Sequence, residues 1–184
     1  MVEEIIAGEK VYFYDEVSST MDVAKKLLKE GEKGIVVAKK QTKGRGRYGK
    51  YWLSDEGGLY FSMIIEKSVI SDFLSEIISI SLVETIKTFG IICKIKFPND
   101  IIYKGKKISG ILIERSDDNY IVGIGVNLNN KISKFGVSMK EILKKEININ
   151  EFLEKFLTIY KTNEIKFCEK KENCLKEWSE FLLK

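Results

Sequence analysis

Two short turns, Lys104-Gly105-Lys106 and Asp117-Asp118-Asn119, separate three apolar runs between residues 101 and 128. Turns this tight can join only antiparallel neighbours, so this region is predicted to be a run of hairpins. Before them, residues 93–97 alternate as a strand that must stop at Pro98, which has no N–H for a ladder. Alternation assigns Cys93, Ile95 and Phe97 to the core side and Lys94 and Lys96 to the other. Strands are also expected at residues 11–17, 34–39, 58–65 and 120–128. Ser18-Ser19-Thr20 reads as a helix entry, with Asp22 in the first turn and Val23, Leu27 and Leu28 on the apolar side. Leu74, Ile77, Ile78, Val83 and Ile86 recur at helical spacing within residues 71–89. From residue 152 the pattern is helical and heavily charged, either two helices or one broken near Thr162-Asn163. The run Glu169-Lys170-Lys171-Glu172 reads there as a solvated face. Together these predict an α+β fold, a mixed and largely antiparallel sheet flanked by helices. A single domain is expected over residues 1–184, with a charged helical segment from about residue 150.

Composition removes several classes of function. The chain has no histidine, which excludes Ser–His triads, Cys–His dyads, imidazole bases and histidine metal sites. Its net charge of +4 comes from 31 cations and 27 anions, a mixed surface that gives little support for nucleic acid as a partner. Cys93, Cys168 and Cys174 lack metal-ligand spacing and read as reduced thiols of a cytoplasmic protein. The start, Met1-Val2-Glu3-Glu4, has no signal-peptide pattern, and no apolar run nears the roughly 20 residues of a membrane span.

Four segments have the chemistry of a site. Lys43-Gly44-Arg45-Gly46-Arg47-Tyr48-Gly49-Lys50 joins three glycines to four cations. Glycine lets a backbone approach a ligand closely, and arginine forks match phosphate or carboxylate, so this loop is expected to be mobile until an anion orders it. In the strand near residue 124, Val122, Ile124, Val126 and Leu128 fit a core, while Gly123, Gly125, Asn127 and Asn129 share the opposite face. That glycine strip accommodates either a packed helix or a flat ligand, and the two asparagines favour a polar ligand. Lys96-Phe97-Pro98-Asn99-Asp100 is a turn beside strand ends, structural by default and suited to a ligand in company. Lys106-Lys107-Ile108-Ser109-Gly110 adds a lysine and another small surface, and Ser19 and Thr20 offer hydroxyls at a helix N-terminus.

Taken in order, these segments resemble the biotin protein ligase family. Its pattern appears as Ser19-Thr20-Met21, Gln41 followed by Gly44 through Trp52, Lys96 through Asp100, Lys107 through Glu114, and Gly123 through Asn127. The match covers about residues 10–130, and five motifs in order are far more specific than any one of them. The resemblance implies the fold that biotin ligases share with class II aminoacyl-tRNA synthetases. It also implies adenylation of biotin by ATP with Mg²⁺, then transfer to one lysine of a biotin carboxyl carrier protein. Biotin would be contacted by Ser19, Thr20, Met21, Gln41, Gly44, Arg45, Gly46, Arg47, Lys107, Gly110, Gly123 and Gly125. ATP would be contacted by Arg47, Lys50, Trp52, Lys96, Asn99, Asp100, Lys107 and Asn127. Lys107, Arg47 and Lys96 would take the catalytic roles, with no dedicated metal ligands.

Adenylation joins two anions, so fixed cations and Mg²⁺ can serve it without a general base, and the missing histidine is no obstacle. The sequence departs from the family at Lys50 for arginine, Phe97 for tryptophan and Met21 for asparagine. Family members usually continue into a small β-barrel, and the repressor-type ones carry an N-terminal winged helix. Residues 1–184 are expected to hold the catalytic domain without either. Neither nucleic acid nor membrane is an expected partner, and both monomer and homodimer fit the family. The rival readings are a lipoate ligase-like enzyme and a phosphate- or nucleic-acid-binding module built on the Gly-Arg loop.

Overall fold

The computed structural model describes residues 1–68, 70–132 and 135–183. The strands are β1 (Val2–Ile6), β2 (Glu9–Val17), β3 (Ile35–Gln41), β4 (Leu59–Glu66), β5 (Lys94–Lys96), β6 (Asp100–Tyr103), β7 (Lys106–Ser116) and β8 (Asn119–Val126). They form a single eight-stranded sheet in the order β1-β2-β3-β4-β8-β7-β6-β5. Strands β2 and β3 run parallel, and helix α1 (Thr20–Lys29) supplies the crossover that such a pair needs. The other neighbours are antiparallel, as the short turns require. Lys104 (φ 46°) with Gly105 (φ 80°), and Asp117 (φ 53°), supply the left-handed geometry of the two hairpins.

The two faces of the sheet differ. Helices α2 (Leu74–Thr88) and α4 (Ile149–Phe181) cover one face and enclose the main core, which includes Phe61, Ile101, Val122, Ile124, Val126, Phe152 and Phe156. The other face is covered in part by α1, through a smaller cluster of Tyr12, Met21, Ala24, Leu27, Val36 and Ile121. The rest of that face, over β4, β8 and β7, is left to the loops. A short helix, α3 (Met139–Leu143), begins with a capping box between Ser138 and Glu141. Among the described residues no helix is long and apolar enough to cross a membrane.

The α+β class and largely antiparallel sheet agree with expectation, as do the buried Val122, Ile124, Val126 and Leu128. Five details differ. Strand β1 and helix α3 were not foreseen. Strand β8 ends at Val126, so Asn127 and Asn129 lie in the following loop. Phe97 is not a core residue: its backbone lies in the turn after β5 and its side chain is 66% exposed. Helix α4 does not break at Thr162-Asn163, where buried Asn163 donates to Ser81 Oγ at 3.1 Å and Glu84 Oε2 at 2.6 Å. Its non-helical residue is Lys170 (φ −140°, ψ 49°), inside the charged run read as a solvated face.

Candidate active site

The Gly/Arg segment is a hairpin. Gln41 pairs with Ser54 and Arg45 with Tyr51. Trp52 N–H donates to Gly44 O at 2.9 Å, and Gly46 N–H donates to Lys50 O at 2.7 Å. The N–H groups of Gly46 and Trp52 are therefore spent within the loop. The turn spans Arg47–Gly49, with Tyr48 at φ 57°. Gly44 is required by the hairpin, because a Cβ there would lie 2.4 Å from Trp52 O and 2.5 Å from Ser54 Oγ.

Between this hairpin and the partly covered face lies a cavity of about 600 Å³, ample for a small-molecule ligand. Every expected site residue lines it except Gly44 and Asn127. Asn127 is buried one layer behind, where its Nδ2 donates to Lys107 O at 3.3 Å. Asn129 clasps Ile147, donating to its carbonyl and accepting from its N–H, both at 2.8 Å. These two asparagines brace loops, contrary to their reading as part of a ligand face.

The glycine face is covered by side chains. A Cβ on Gly125 would lie 2.5 Å from the Trp52 indole, and one on Gly110 would lie 2.8 Å from it. A Cβ on Gly123 would meet Met21 Sδ at 2.7 Å. Helix packing over the strip, through Met21, thus accounts for one glycine, and the loop tryptophan for the others. Trp52 Nε1 is buried without a hydrogen-bond partner, and Lys107 Nζ lies 4.9 Å from the ring centroid.

The cations are held in place by their neighbours. Arg45 pairs with Asp22 at 2.8 Å and Glu114 at 3.3 Å, and Lys25 reaches Glu114 at 2.6 Å. Burial opposes ionisation of Glu114, but hydrogen bonds from Lys25 and Arg45 prevail and hold its carboxyl below the usual range. Burial likewise works against the Arg45 guanidinium, and its two carboxylates more than compensate, raising its pKa. Arg47 donates to Asn99 Oδ1 at 3.3 Å and to Tyr48 OH at 3.1 Å. Asn99 Nδ2 donates to Ile111 O at 3.1 Å, and Ser75 Oγ on α2 donates to Pro98 O at 2.8 Å. Lys107 Nζ sits 2.6 Å from Asp100 Oδ1 as an ion pair.

Sequence reasoning missed Tyr48, Tyr51, Phe97, Pro98, Ile111, Leu112 and Ile124 in the lining. It also gave no role to Asp22, Lys25 or Glu114. Glu114 closes the motif that begins at Lys107, which was the available signal. Among the described residues no cluster of three or more histidine, cysteine or acidic side chains could hold a metal ion.

A sheet with this half-open face and a cationic hairpin over it defines a class that comparison with known proteins makes specific. The model of the Biotin/lipoate A/B protein ligase family matches residues 13–129. The chain belongs to that family. It is 35% identical over 149 residues to the Bifunctional ligase/repressor BirA of Bacillus subtilis, covering 74% of this chain and 46% of that protein. It thus spans about half the length of such curated relatives. Its fold is similar to the biotin protein ligase from Aquifex aeolicus in complex with biotin and ATP. That match has a TM-score of 0.77 and 36% identity over 87% of this chain and 72% of the other. The biotin protein ligase from Leishmania major in complex with biotinyl-5-AMP gives a TM-score of 0.82 at 25% identity, covering 94% and 81% of the two chains.

Proposed function

We propose that this chain joins biotin to ATP, forming biotinyl-5′-AMP, and then transfers biotin to a lysine of a biotin carboxyl carrier protein. The observation that carries the proposal is the charge of the cavity: Arg45, Arg47, Lys50, Lys96 and Lys107 converge there, with Asp100 the one carboxylate among the described lining residues and Asp22 and Glu114 behind it on Arg45. Such a lining suits a reaction in which a carboxylate oxygen attacks the α-phosphorus of ATP and pyrophosphate leaves. Lys107 and Lys96 would offset repulsion between the two anions and the charge growing on the α-phosphate. Arg47, oriented by Asn99, and Lys50 would hold the phosphates, while Thr20 and Gln41 at the far end would take the biotin head. In the second step the carrier amine attacks the mixed anhydride carbonyl, AMP departs, and an amide forms. The hairpin would keep water from reaching the anhydride first.

Asp100 Oδ1 is buried against Lys107 Nζ, 2.6 Å away, with no other polar partner among the described residues. A magnesium ion travelling with a triphosphate needs only one or two protein carboxylates, so Asp100 fits that demand. Magnesium would add charge neutralisation on the phosphates. The free, largely buried cysteines accord with work in the reducing cytoplasm. Monomer and homodimer are separated by light scattering across a concentration series.

The deciding experiment is biotin-dependent exchange of labelled pyrophosphate into ATP, with lipoate as the control. Exchange with biotin and none with lipoate is expected. Exchange driven by lipoate, or none with biotin in this chain and in any longer natural form, would remove the proposal.

A further inference from the structure

Past Lys170 the chain folds back along α2. Asn163 reaches Ser81, and Trp178 Nε1 donates to Ser79 Oγ at 2.9 Å. A straight helix would separate residues 163 and 178 by about 22 Å, yet both touch one turn of α2. The arm of residues 171–183 then closes on the edge of the sheet. Leu182 forms a parallel bridge with Ile95, Leu183 N–H donates to Ile95 O at 2.8 Å, and Lys94 Nζ donates to Glu180 O at 2.8 Å. Between these anchors the Trp178 ring meets Phe97 edge to face, with centroids 6.2 Å apart and planes at 76°.

Phe97 lines the cavity and lies outside the core, 66% exposed. It follows Lys96 and leads through Pro98 into Asn99 and Asp100, all of which line the cavity. Ser75 and Ser79, one helical turn apart on α2, divide the support of this lip: Ser75 takes Pro98 O and Ser79 takes Trp178. We propose that Trp178, carried by the arm, is a positioning residue that sets the lip of residues 97–100 and thereby the nucleotide half of the site. It touches no substrate. It acts through Phe97 on the two lip contacts that orient cations, Asn99 with Arg47 and Asp100 with Lys107. The proposal rests on the nucleotide role given above to that lip.

The test is titration, at saturating biotin, of an ATP analogue whose α and β phosphates are joined by methylene, with biotin titrated separately. Trp178→Ala is expected to weaken the analogue about tenfold and biotin by less than about twofold, since small misplacements at a site are costly only to what they position. Trp178→Phe keeps a ring edge against Phe97 but loses the Nε1 hydrogen bond to Ser79, so its weakening should be about threefold in place of tenfold. Ser79→Ala removes the anchoring hydrogen bond, together with the Ser79 bond to Glu76 O within α2, and should weaken the analogue about threefold. A purely structural role would lower the melting temperature and weaken both ligands alike, which overturns the proposal. Unchanged analogue affinity in Trp178→Ala overturns it too. If Trp178→Ala does not fold, Ser79→Ala and Trp178→Phe decide by the same split. Wild-type chain that binds the analogue yet fails pyrophosphate exchange would sink the proposed function while leaving this titration decisive for the arm.

Discussion

Gln41 Oε1 accepts the backbone N–H of Thr20 at 2.8 Å, so the end of strand β3 satisfies the first turn of helix α1. Within the expected entry Ser18-Ser19-Thr20 the N-cap is Ser19, which makes no side-chain cap hydrogen bond. Because a backbone N–H can only donate, the amide orientation of Gln41 is settled, and its Nε2 faces Ser54 Oγ at 2.8 Å. Ser54 passes the chain on to Trp52 O at 3.0 Å. Thr20 Oγ1 also gives its proton to Gln41 Oε1, at 3.1 Å, so in its 2.8 Å contact with buried Ser62 it must accept. One lone pair of the Thr20 hydroxyl is left to receive an N–H from a ligand.

Gln41→Leu removes both ends of this connection and strands the Thr20 N–H. A loss of about 1–3 kcal/mol in stability is expected, the usual cost of an unpartnered buried donor. Biotin affinity should fall more than ATP affinity, because the Thr20 end of the cavity is disturbed and the lip of residues 97–100 is not. Urea unfolding and separate ligand titrations measure the two effects. Equal loss of both affinities would remove Gln41 from the biotin end.

Arg45→Ala should raise the biotin KM by about tenfold, the order expected when one charge-assisted hydrogen bond is lost. It should also speed release of free biotinyl-5′-AMP, since the hairpin loses its tie to Asp22 and Glu114. Steady-state kinetics and chromatography of released adenylate provide the readouts. Unaltered leakage would mean that this tie does not hold the loop shut.

Glu114 makes the stability depend on pH in a defined direction. Its folded carboxyl titrates below the usual range under the hydrogen bonds from Lys25 and Arg45. Its contribution is thus complete above the unfolded value of about 4.3 and disappears as pH falls through the lower folded value. Glu114→Gln should lower the melting temperature at pH 7 and lessen its fall between about pH 5 and 3. Parallel curves for wild type and variant across that range would contradict the assignment.

Trp52 offers an optical check, because its indole lies on Gly110 and Gly125 with Nε1 buried. A ligand ring that settles on those glycines must move the indole toward water. In a Trp178→Phe background, where Trp52 is the sole tryptophan, biotin should shift the emission to longer wavelength. A spectrum indifferent to saturating biotin would mean that the ring binds beside the indole and not beneath it.

What could be read from the residues was local. The hairpins from Lys94 to Val126 were legible because turn chemistry and alternation act over a few residues. Strand β1 was not, since its Val-Glu-Glu-Ile-Ile run lies on an exposed edge where no burial pattern is imposed. The bend at Lys170 carries no glycine or proline that could announce it, and the contacts the arm beyond it makes, on α2 and β5, are distant in sequence. Asn127 was expected on the glycine face of its strand, but the strand ends at Val126 and the side chain braces Lys107 O, a packing role that alternation alone does not reveal. The covering of the glycine strip depended on where Trp52 and Met21 came to rest, and both arrive from other segments.

Strand β8 also ties folding and chemistry together at the scale of single residues. Its pairing with β4 sets Gly123 opposite Ser62 and Gly125 opposite Tyr60, while Ile124 lies opposite Phe61 on the other side. Ile124, which lines the cavity while its side chain packs in the core, would with a slip of one residue turn that side chain into the cavity and leave a glycine in the core. The register that builds the hydrophobic interior is thus also the proofreading step for the binding surface.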